Sequence, residues 1–425
     1  MNRKLIVFWI IILAALPEVF CEEQMLNMNK VNQQAIDKVI SGKVEVAQAI
    51  WWGFNPEDAT NALQSAINSG AKKIIVDNAG KPWIVRPIKL VGNQEILFEK
   101  GVEVVAKRGE FKGKTDCLFR ADNQDNIILT GYGATLRMNR GDYKLPDYEK
   151  AEWRHVLSFF SCSNIKIYGL TLAESGGDGI YLGVAKKGVT NKDVHIKDVV
   201  SENNYRQGIS VISAQNLLIE NTIMRYTAGA APQAGIDFEP NNSDELLDNI
   251  LLRNCTAESN KSYGYLFALK EMGADTKPIS IRIEDCKAVG DTKGSLRFLT
   301  GNISSETVKG IVEFINCTFE SGKSYGVLIE DKPVTGCKLR FVNCSILNKI
   351  SDKPAASIPI KFHSRPGSTE PIGGVEFVNC VINDTLDRNP VSYPNSAKGV
   401  PLREVEGTLT INLSGGRQKQ LTLQR

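Results

Sequence analysis

The feature that most constrains the fold is a short motif that recurs about every 30 residues along much of the chain. Each copy alternates two apolar residues with polar ones and mostly ends in Asn or Asp, as in DVHIKD at 193–198 and NLLIEN at 216–221. In the last five copies a cysteine follows directly, at spacings of 31, 31, 27 and 36 residues: Cys255, Cys286, Cys317, Cys344 and Cys380. A period of this length is typical of solenoids, in which each repeat stacks on its neighbours.

A second series of residues, all glycines, runs ahead of the first. Each glycine begins a segment typical of a β-strand, such as GIYLG, GISVIS and GIDFEP. The spacings are 29, 27, 29, 30 and 32 residues, and the series is Gly179, Gly208, Gly235, Gly264, Gly294 and Gly326. Two strands per period, with no helical pattern between them, predict a parallel β-helix whose coils stack about 4.8 Å apart.

The cysteines and asparagines have plain structural roles in such a solenoid. Cysteine behaves as a small buried apolar residue, so we expect the cysteines to stack inside the coils as reduced thiols. Disulfides remain an alternative, because stacked neighbours lie close enough to pair. The asparagines would complete turn hydrogen bonds, since Asn tolerates turn conformations.

The chain opens with MNRKLIVFWIIILAALPEVFCEE, in which two cations precede an apolar run from Leu5 to Leu16. The run is too short to span a bilayer and predicts a signal peptide over residues 1–21. A lipid anchor is not expected, because Phe20 stands where a lipoprotein signal needs a small residue. No later stretch is apolar enough to cross a membrane, so the expected location is secreted or periplasmic.

Both ends of the solenoid have recognisable caps. Residues 22–49 are expected to form a partly helical N-terminal extension, and no linker divides residues 50–425 into separate domains. PEDATNALQSAINSG at 56–70 predicts an amphipathic helix with Asp58 as its N-cap and Gly70 near its end. GTLTINLSGGRQKQLTLQ at 407–424 predicts a hairpin with a Gly-Gly turn. Caps of this kind cover the open ends of a solenoid.

Together these motifs resemble the pectin-lyase-like right-handed β-helix proteins. The resemblance rests on D-A-T-x-A-L-Q-x-A-I at 58–67, on the strand motifs that start with Asn and on the D-G-I strand starts. It implies an all-β fold, a single right-handed parallel β-helix with an N-terminal capping helix. It implies no single activity, because this fold carries hydrolases, lyases, epimerases and passive adhesins.

Lys plus Arg number 51 and Asp plus Glu 48, a balance that gives no reason to expect a nucleic-acid partner.

The glycine series places four segments side by side: WRHVLSF, GGDGIYLG, NYRQGISV and AGIDFEP. In this register His155, Asp178 and Gln207 are equivalent, and Asp237 points outward if the alternate apolar residues point inward. Leucine takes the position of Asp237 on later coils, as Leu266, Leu296 and Leu328. The polar residues are therefore expected to be confined to about four coils.

Carboxylates, arginines and aromatic residues concentrate on the outward face of those four coils, a composition that suits a sugar. Catalysis is assigned to Asp178, Asp237 and Glu239. Substrate binding is assigned to Trp153, Arg154, His155, Tyr181, Tyr205, Arg206, Gln207 and Ser210. The insertion VAKKGVTN, just after Gly183, would form a loop, and solenoid loops often line the binding face.

Spacing narrows the chemistry of the three carboxylates. Asp237 and Glu239 lie two residues apart on one strand, so their Cα atoms are about 6.7 Å apart, and Asp178 lies two coils away, about 10 Å along the axis. Carboxyl groups about 6.5 to 9.5 Å apart leave room for a water and suit inverting glycosidases. We therefore expect an inverting glycoside hydrolase that needs no cofactor and acts on a polysaccharide or oligosaccharide.

The family resemblance both supports and limits this hypothesis. In polygalacturonase-like hydrolases an Asp directly before a strand-initial Gly is catalytic, and Asp178 in GGDGIYL resembles it. Those enzymes also carry a pair of Asp on the next coil, a G-H-G and an R-I-K. This sequence has Tyr205, Arg206 and Gln207 on the next coil and lacks the other motifs. Specificity for galacturonan is therefore not supported.

Two alternatives stay open. A calcium-dependent lyase or epimerase of this fold would use Asp178, Asp237 and Glu239 as oxygen ligands of Ca²⁺, with Arg206 or Arg154 as the base, and would need a uronic acid substrate. A non-catalytic β-helix that only binds a glycan is the other alternative. Arg206 could also be a structural ion-pair partner of the carboxylates on the next coil, and the sequence leaves the oligomeric state open.

Overall fold

A computed structural model describes residues 28–301, 307–348, 357–393 and 400–425 of the chain. The signal peptide predicted over residues 1–21 lies outside the described residues. Among the helices of the described part, none is long and apolar enough to cross a membrane.

Two α-helices precede and cover the first coil. α1 (Gln33–Ile40) begins after Asn32, whose side chain accepts a hydrogen bond from the amide of Ala35. α2 (Thr60–Ile67) confirms the predicted capping helix and packs its apolar face on the strands of the first coil. Asp58 acts from one position before the N-cap, where its carboxylate accepts a hydrogen bond from the Thr60 amide at 3.2 Å. Three short 3₁₀ segments complete the helical structure described: Ala49–Trp52, Asp142–Lys144 and Ser414–Gly416.

The strands of the first half of the chain are β1 (Val46–Gln48), β2 (Lys73–Val76), β3 (Trp83–Val85), β4 (Ile88–Lys89), β5 (Gln94–Phe98), β6 (Glu103–Ala106), β7 (Phe119–Asp122), β8 (Asp125–Thr130), β9 (Thr135–Arg137), β10 (Leu157–Phe160), β11 (Ser163–Tyr168), β12 (Thr171–Ala173), β13 (Asp178–Gly183), β14 (Asn191–Lys197), β15 (Val200–Glu202) and β16 (Gln207–Val211). Those of the second half are β17 (Ala214–Glu220), β18 (Ile223–Arg225), β19 (Ala234–Phe238), β20 (Leu247–Arg253), β21 (Thr256–Glu258), β22 (Tyr263–Ala268), β23 (Ile279–Glu284), β24 (Lys287–Val289), β25 (Gly294–Leu299), β26 (Gly310–Ile315), β27 (Thr318–Glu320), β28 (Tyr325–Glu330), β29 (Lys338–Val342), β30 (Ser345–Leu347), β31 (Ile358–His363), β32 (Ile372–Asn383), β33 (Val391–Ser392), β34 (Leu402–Asn412) and β35 (Gln418–Gln424).

These strands form three parallel ladders that run the length of the solenoid. The first ladder runs from β1 through β2, β5, β8 and every third strand to β29, and the second runs from β3 through β6, β9 and every third strand to β30. The long strands β32 and β34 belong to both ladders and join them at the C-terminal end. The third ladder is a separate sheet of β4, β7, β10, β13, β16, β19, β22, β25, β28, β31 and β33.

The prediction of two strands per period is wrong, because each coil has three. The strand that the sequence pattern did not mark belongs to the second ladder and has only three residues in most coils, as in Thr256–Glu258. Three residues are too few to show the alternation by which a strand is identified. The solenoid also begins before residue 50, since Val46 of β1 pairs in parallel with Lys73 of β2.

Asparagines and cysteines form the corner between the first two ladders. Asn254 adopts a left-handed backbone conformation with φ of 51°, and its side chain donates to Asn221 on the coil before, at 2.8 Å. Asn221 donates in turn to the carboxylate of Asp198 at 3.0 Å. Cys255 follows inside the corner, where its amide donates to the sulfur of Cys286. All eight cysteines of the described part are buried and free, which confirms the predicted stack of thiols.

The C-terminal cap is the predicted hairpin. β35 pairs antiparallel with β34, and the turn between them contains Gly415 and Gly416, both with φ of 72°. Inside the solenoid, aromatic rings stack from coil to coil along the third ladder, with ring centroids of Phe238 and Phe267 4.7 Å apart. The core is therefore apolar beneath the face on which the site residues lie.

Candidate active site

The register of the third ladder is the one predicted for the first four coils. Asp178 pairs with Gln207, and Ser210 pairs with Asp237 on the next coil. The register differs farther along, because Gly294 pairs with Tyr263 and not with its predicted partner. This shift of one residue changes which side chain of β25 lies in the outward column that contains Asp237.

Arg297, not Leu296, follows Leu266 in that outward column. Leu296 instead pairs with Tyr265 and has no exposed surface. The prediction that the outward positions become apolar after the fourth coil is therefore wrong for β25, where a charged residue returns.

Asp178 stands at the start of β13 with no exposed surface. Its backbone amide donates to Nδ1 of His155 at 3.0 Å, and its Oδ2 lies 3.4 Å from Nη1 of Arg206. Its Oδ1 has no hydrogen-bond partner among the described residues. Burial raises the pKa of Asp178 to about 6, although the charge of Arg206 acts in the opposite direction.

His155 is a neutral neighbour of Asp178. Burial, and then the charges of Arg206 and Arg120, hold its pKa well below the ordinary range. Because Nδ1 accepts the Asp178 amide, the ring proton belongs on Nε2. The ring stacks on Tyr181 with centroids 4.5 Å apart and planes 8° apart. His155 thus fixes the position of the Asp178 backbone.

Asp237 lies on β19, also without exposed surface. Its Oδ2 accepts a hydrogen bond from Nε2 of Gln207 at 2.8 Å, and Oε1 of the same glutamine accepts the Ala234 amide at 2.8 Å. Burial, the charge of Glu239 and a hydrogen bond shared with Glu239 raise the pKa of Asp237 well above its ordinary value. The Asp237 carboxyl therefore holds its proton to a higher pH than an ordinary Asp, and its Oδ1 has no hydrogen-bond partner among the described residues.

Arg206 is the centre of the group. Its Nη2 lies 2.8 Å from Oε2 of Glu239, its Nη1 lies 3.4 Å from Oδ2 of Asp178, and its Nε lies 3.8 Å from Oε1 of Glu152. Burial alone would lower its pKa, but the surrounding carboxylates raise it, so Arg206 stays charged. We call Asp178, Arg206, Asp237 and Glu239 the carboxylate–arginine cluster.

Glu239 and Glu152 connect this cluster to the solvent. The side chain of Glu239 is 25% exposed and that of Glu152 is 36% exposed, whereas that of Arg206 is 12% exposed. Glu152 was not among the predicted site residues, because it precedes β10 in an irregular segment outside the repeat. The only sequence feature that marks it is its position directly before Trp153.

Arg154 is not part of the site face, and its predicted role is wrong. It has no exposed surface, and its guanidinium donates to the carbonyl oxygens of Phe111 at 2.8 Å and Glu149 at 2.6 Å. It also lies over the ring of Tyr143. Arg154 therefore holds the segment before β10 in place.

The remaining predicted binding residues divide into two groups. His155, Gln207 and Ser210 are buried, so in this structure they lie beneath the face and contact members of the cluster. Trp153 is 44% exposed, and Tyr181 and Tyr205 are half-buried. The insertion between β13 and β14 does lie beside the site, where it lines a cavity of about 310 Å³ with Tyr181, Lys187 and Asp244.

A calcium site does not fit this arrangement. Within the described ranges, no group of three or more His, Cys, Asp or Glu side chains is arranged to hold a metal ion. The guanidinium of Arg206 lies between Asp178 and Glu239, two of the three carboxylates that would serve as ligands. A second cation there would face a fixed positive charge.

Comparisons with known proteins agree with the fold. A family model described as a right-handed beta helix region matches residues 153–351. No curated protein matches the sequence. The tailspike protein of the Escherichia coli bacteriophage HK620, solved in complex with a pentasaccharide, superposes with a TM-score of 0.60 at 14% identity. The match covers 83% of this chain and 62% of the tailspike chain, so this chain spans about three fifths of that protein.

A second solved structure is similar over a larger share of its own length. The A-module of a mannuronan C-5 epimerase from Azotobacter vinelandii superposes with a TM-score of 0.53 at 13% identity, over 87% of this chain and 100% of the module. Identities this low show the fold alone. The chain thus has the right-handed parallel β-helix fold that its sequence predicts.

Proposed function

We propose that the protein is an exported polysaccharide-degrading enzyme, a glycoside hydrolase whose catalytic groups are Asp178, Asp237 and Glu239. The fold supports a glycan substrate, since the similar tailspike is solved with a pentasaccharide and the similar epimerase module is named for mannuronan. The apolar run near the N-terminus supports export by a signal peptide.

The observation that carries the proposal is the unusual state of the two buried carboxyls. Oδ1 of Asp178 and Oδ1 of Asp237 are both buried and have no hydrogen-bond partner among the described residues. An unpartnered buried polar atom costs about 1 to 3 kcal/mol, so a purely structural ion pair has no reason to retain one. Groups kept in this condition are typical of catalytic sites.

The environments of the carboxyls also assign their roles. The raised pKa of Asp237 favours its protonated form, and its neighbour Glu239 is the carboxyl that reaches the solvent. We assign to this pair the general acid that protonates the leaving glycosidic oxygen. Asp178, with a pKa of about 6, is mostly ionised at pH 7 and serves as the base that takes a proton from the attacking water.

This assignment favours inversion at the anomeric carbon. Asp178 and Glu239 contact different nitrogens of the Arg206 guanidinium, so a whole guanidinium group separates them. Inverting enzymes place their carboxyls about 6.5 to 9.5 Å apart, and retaining enzymes about 5 to 5.5 Å apart. A base that activates water, opposite an acid that protonates the leaving oxygen, is the arrangement of the inverting class.

Because Asp178 has no exposed surface, the reaction requires the side chains above it to move when the substrate binds. The contact between Arg206 and Glu152 is the longest of the three ion pairs of Arg206, at 3.8 Å, and Glu152 is its most exposed partner. An exposed pair of this kind contributes about 1 kcal/mol at most. Opening it is therefore a small cost for a bound glycan.

The lyase or epimerase alternative has less support from this site. Its base would be Arg206 or Arg154, but the carboxylates raise the pKa of Arg206, and Arg154 is buried away from the face. A base must lose its proton near neutral pH, which Arg206 is arranged to keep.

The test is a screen of the purified protein against neutral and acidic polysaccharides. Reducing ends report hydrolysis, and the ultraviolet absorbance of an unsaturated product reports elimination, with and without EDTA. We expect reducing ends without new absorbance and without an effect of EDTA. Asp237→Asn and Asp178→Asn should each lower kcat by about 10²-fold to 10⁴-fold, whereas Asp147→Asn, at an exposed loop position, should not.

Four other outcomes would contradict parts of the proposal. Absorbance that depends on Ca²⁺ would establish a lyase and refute hydrolysis. Full activity in Asp178→Asn would remove the base from the mechanism, and retention of the anomeric configuration in the NMR spectrum of the fresh product would exclude inversion. Binding of a glycan without turnover would establish the non-catalytic alternative.

A further inference from the structure

The third ladder carries a second set of functional side chains beyond the carboxylate–arginine cluster. Tyr263 on β22 and Tyr325 on β28 occupy one outward column, separated by Gly294. Arg297 on β25 and Lys361 on β31 occupy the column that contains Asp237, separated by Leu328. Within each column a side chain of the same kind, tyrosine in one and a cation in the other, thus recurs on every second coil, about 9.6 Å apart along the axis.

Each of these cations is held against a tyrosine ring. Nζ of Lys361 lies 4.7 Å from the ring centroid of Tyr325 and donates to its hydroxyl at 3.1 Å. The guanidinium of Arg297 and the amine of Lys293 both lie 5.9 Å from the ring centroid of Tyr263. A cation over an aromatic face is attracted by the ring and loses less conformational freedom when it binds an anion.

The positive charges of this set exceed the negative ones. Arg297 pairs with Glu330, with its Nη2 2.6 Å from Oε2. Among the described residues, no carboxylate lies within ion-pair distance of Lys293 or Lys361. Lys293 is exposed, and Arg297 and Lys361 are half-buried, so their charged groups reach the surface. We call Tyr263, Lys293, Arg297, Tyr325 and Lys361 the basic–aromatic track.

The charge of the face therefore changes sign along the solenoid. On the coils of β13 to β19 the most exposed charged member of the cluster is the carboxylate of Glu239, whereas the coils of β25 to β31 present the cations of the track. Asp237 on β19 and Lys361 on β31 are separated by four coils, which is about 19 Å along the solenoid axis. An extended oligosaccharide of several residues can reach both regions at once.

We propose that the basic–aromatic track binds the acidic groups of an anionic polysaccharide and places the bond to be cleaved over the carboxylate–arginine cluster. The inference deepens the proposed function and rests on it for the second half of that statement. The period of two coils suits a glycan in which acidic groups recur at about the length of a disaccharide. The substrate class is thus a glycan with carboxylate or sulfate groups, and the acidic residues lie on one side of the cleaved bond.

The test is affinity electrophoresis of the full protein through gels that contain polygalacturonate, alginate or chondroitin sulfate. The matched neutral probe is polygalacturonate with its carboxyl groups reduced. We expect retardation by at least one polyanion, no retardation by the reduced polymer, and weaker retardation at high salt, because salt screens the interaction. Lys293→Gln with Lys361→Gln should raise the dissociation constant about tenfold, since each partly exposed ion pair contributes about threefold to fivefold.

Two further double variants distinguish binding by the track from a general effect of positive charge on the protein surface. Lys192→Gln with Lys287→Gln removes two exposed cations from the first and second ladders and should leave binding unchanged. Lys293→Arg with Lys361→Arg keeps both charges and should retain binding within about twofold. Thermal melting of each variant shows whether it is folded.

The inference is overturned if no polyanion retards the protein, if the reduced polymer binds as well, or if the two lysine pairs on different faces have equal effects. Its failure can be told apart from failure of the proposed function. Charge-dependent binding through the track without release of reducing ends would retain the track and refute the hydrolase. Hydrolysis of a neutral glycan with KM unchanged in the track variant would retain the hydrolase and refute the track.

Discussion

Asp178→Asn should change how the stability of the protein depends on pH. Asp178 has no exposed surface, and its pKa is raised from an ordinary 3.8 to about 6. An acid whose pKa is raised in the folded state binds its proton more tightly there than in the unfolded chain. Its ionisation therefore costs stability, and the cost is absent below about pH 4, grows between pH 4 and 6, and is complete above pH 6.

The size of this cost follows from the two pKa values. The difference between about 6 and 3.8, at about 1.4 kcal/mol for each pH unit, gives about 3 kcal/mol at neutral pH. Asn cannot ionise, so Asp178→Asn removes this cost. The stability of the variant relative to the wild type should therefore be about 3 kcal/mol higher at pH 7 than at pH 4. A constant offset from altered contacts, such as the one with Arg206, cancels in this comparison.

The measurement is urea unfolding of both proteins at several pH values between 4 and 7.5, with Asp147→Asn as a reference for replacing an exposed acid. Titrating groups that do not face Asp178 act in both proteins and cancel, whereas Asp237, whose pKa the charge of Asp178 raises, adds to the difference in the same direction. A stability difference between variant and wild type that is the same at pH 4 and pH 7 would refute the argument that burial raises the pKa of Asp178. A difference that falls with rising pH would mean that Arg206 outweighs burial.

Four other predictions concern residues around the site and the core. Arg206→Met should destabilise the protein by about 3 to 5 kcal/mol at pH 7.5 in urea unfolding and by less at pH 5, because the carboxylates left unpaired can then bind protons; an equal loss at both values would contradict this. Glu152→Gln should keep kcat within about fivefold, since its contact with Arg206 is long and exposed; a loss as large as that of Asp178→Asn would make Glu152 the base. Arg154→Met should accelerate proteolysis between residues 139 and 152, because the backbone carbonyls that it binds lose their donor; cleavage at the wild-type rate would show that the segment is held by other contacts. The eight described cysteines should react with Ellman's reagent only after unfolding, since all are buried and free; fewer thiols in unfolded, unreduced protein would indicate disulfides.

The sequence predicted the fold well because the fold is repetitive. Because neighbouring coils repeat the same register, most positions could be inferred from several coils at once. Asp178, Gln207 and Ser210 therefore lie where the glycine series places them. The error at β25 arose because Gly294 occurs one residue earlier in its strand than the other glycines. A glycine is a weak marker when its neighbour, Ser295, is small enough to take the same position.

The candidate site was predicted less completely, because burial is not visible in a linear pattern. The outward position of Asp237 on its strand suggested a solvent-facing acid, yet it is covered by its neighbours from other coils and has no exposed surface. Arg154 and Glu152 lie in the irregular segment before β10, where no period says which way a side chain points. Arg154 is buried because its guanidinium binds carbonyl oxygens distant in the sequence, whereas Glu152 stays partly exposed beside Arg206.

The asparagine corner has an electrostatic direction. Each amide donates toward the coil before it, and the chain of donors from Asn254 through Asn221 ends on Asp198. A parallel column through Asn249 and Asn216 ends in the same way on a carboxylate, that of Asp193.

A carboxylate can only accept, so it forces the amide above it to donate and orients every amide beyond. The aligned side chains form a small macrodipole whose positive end meets a negative charge, as an acid does at the start of an α-helix. The lowered pKa of Asp198, caused first by the hydrogen bond from Asn221, is the local expression of that alignment. A solenoid without long helices thus acquires a dipole along its axis from side chains alone.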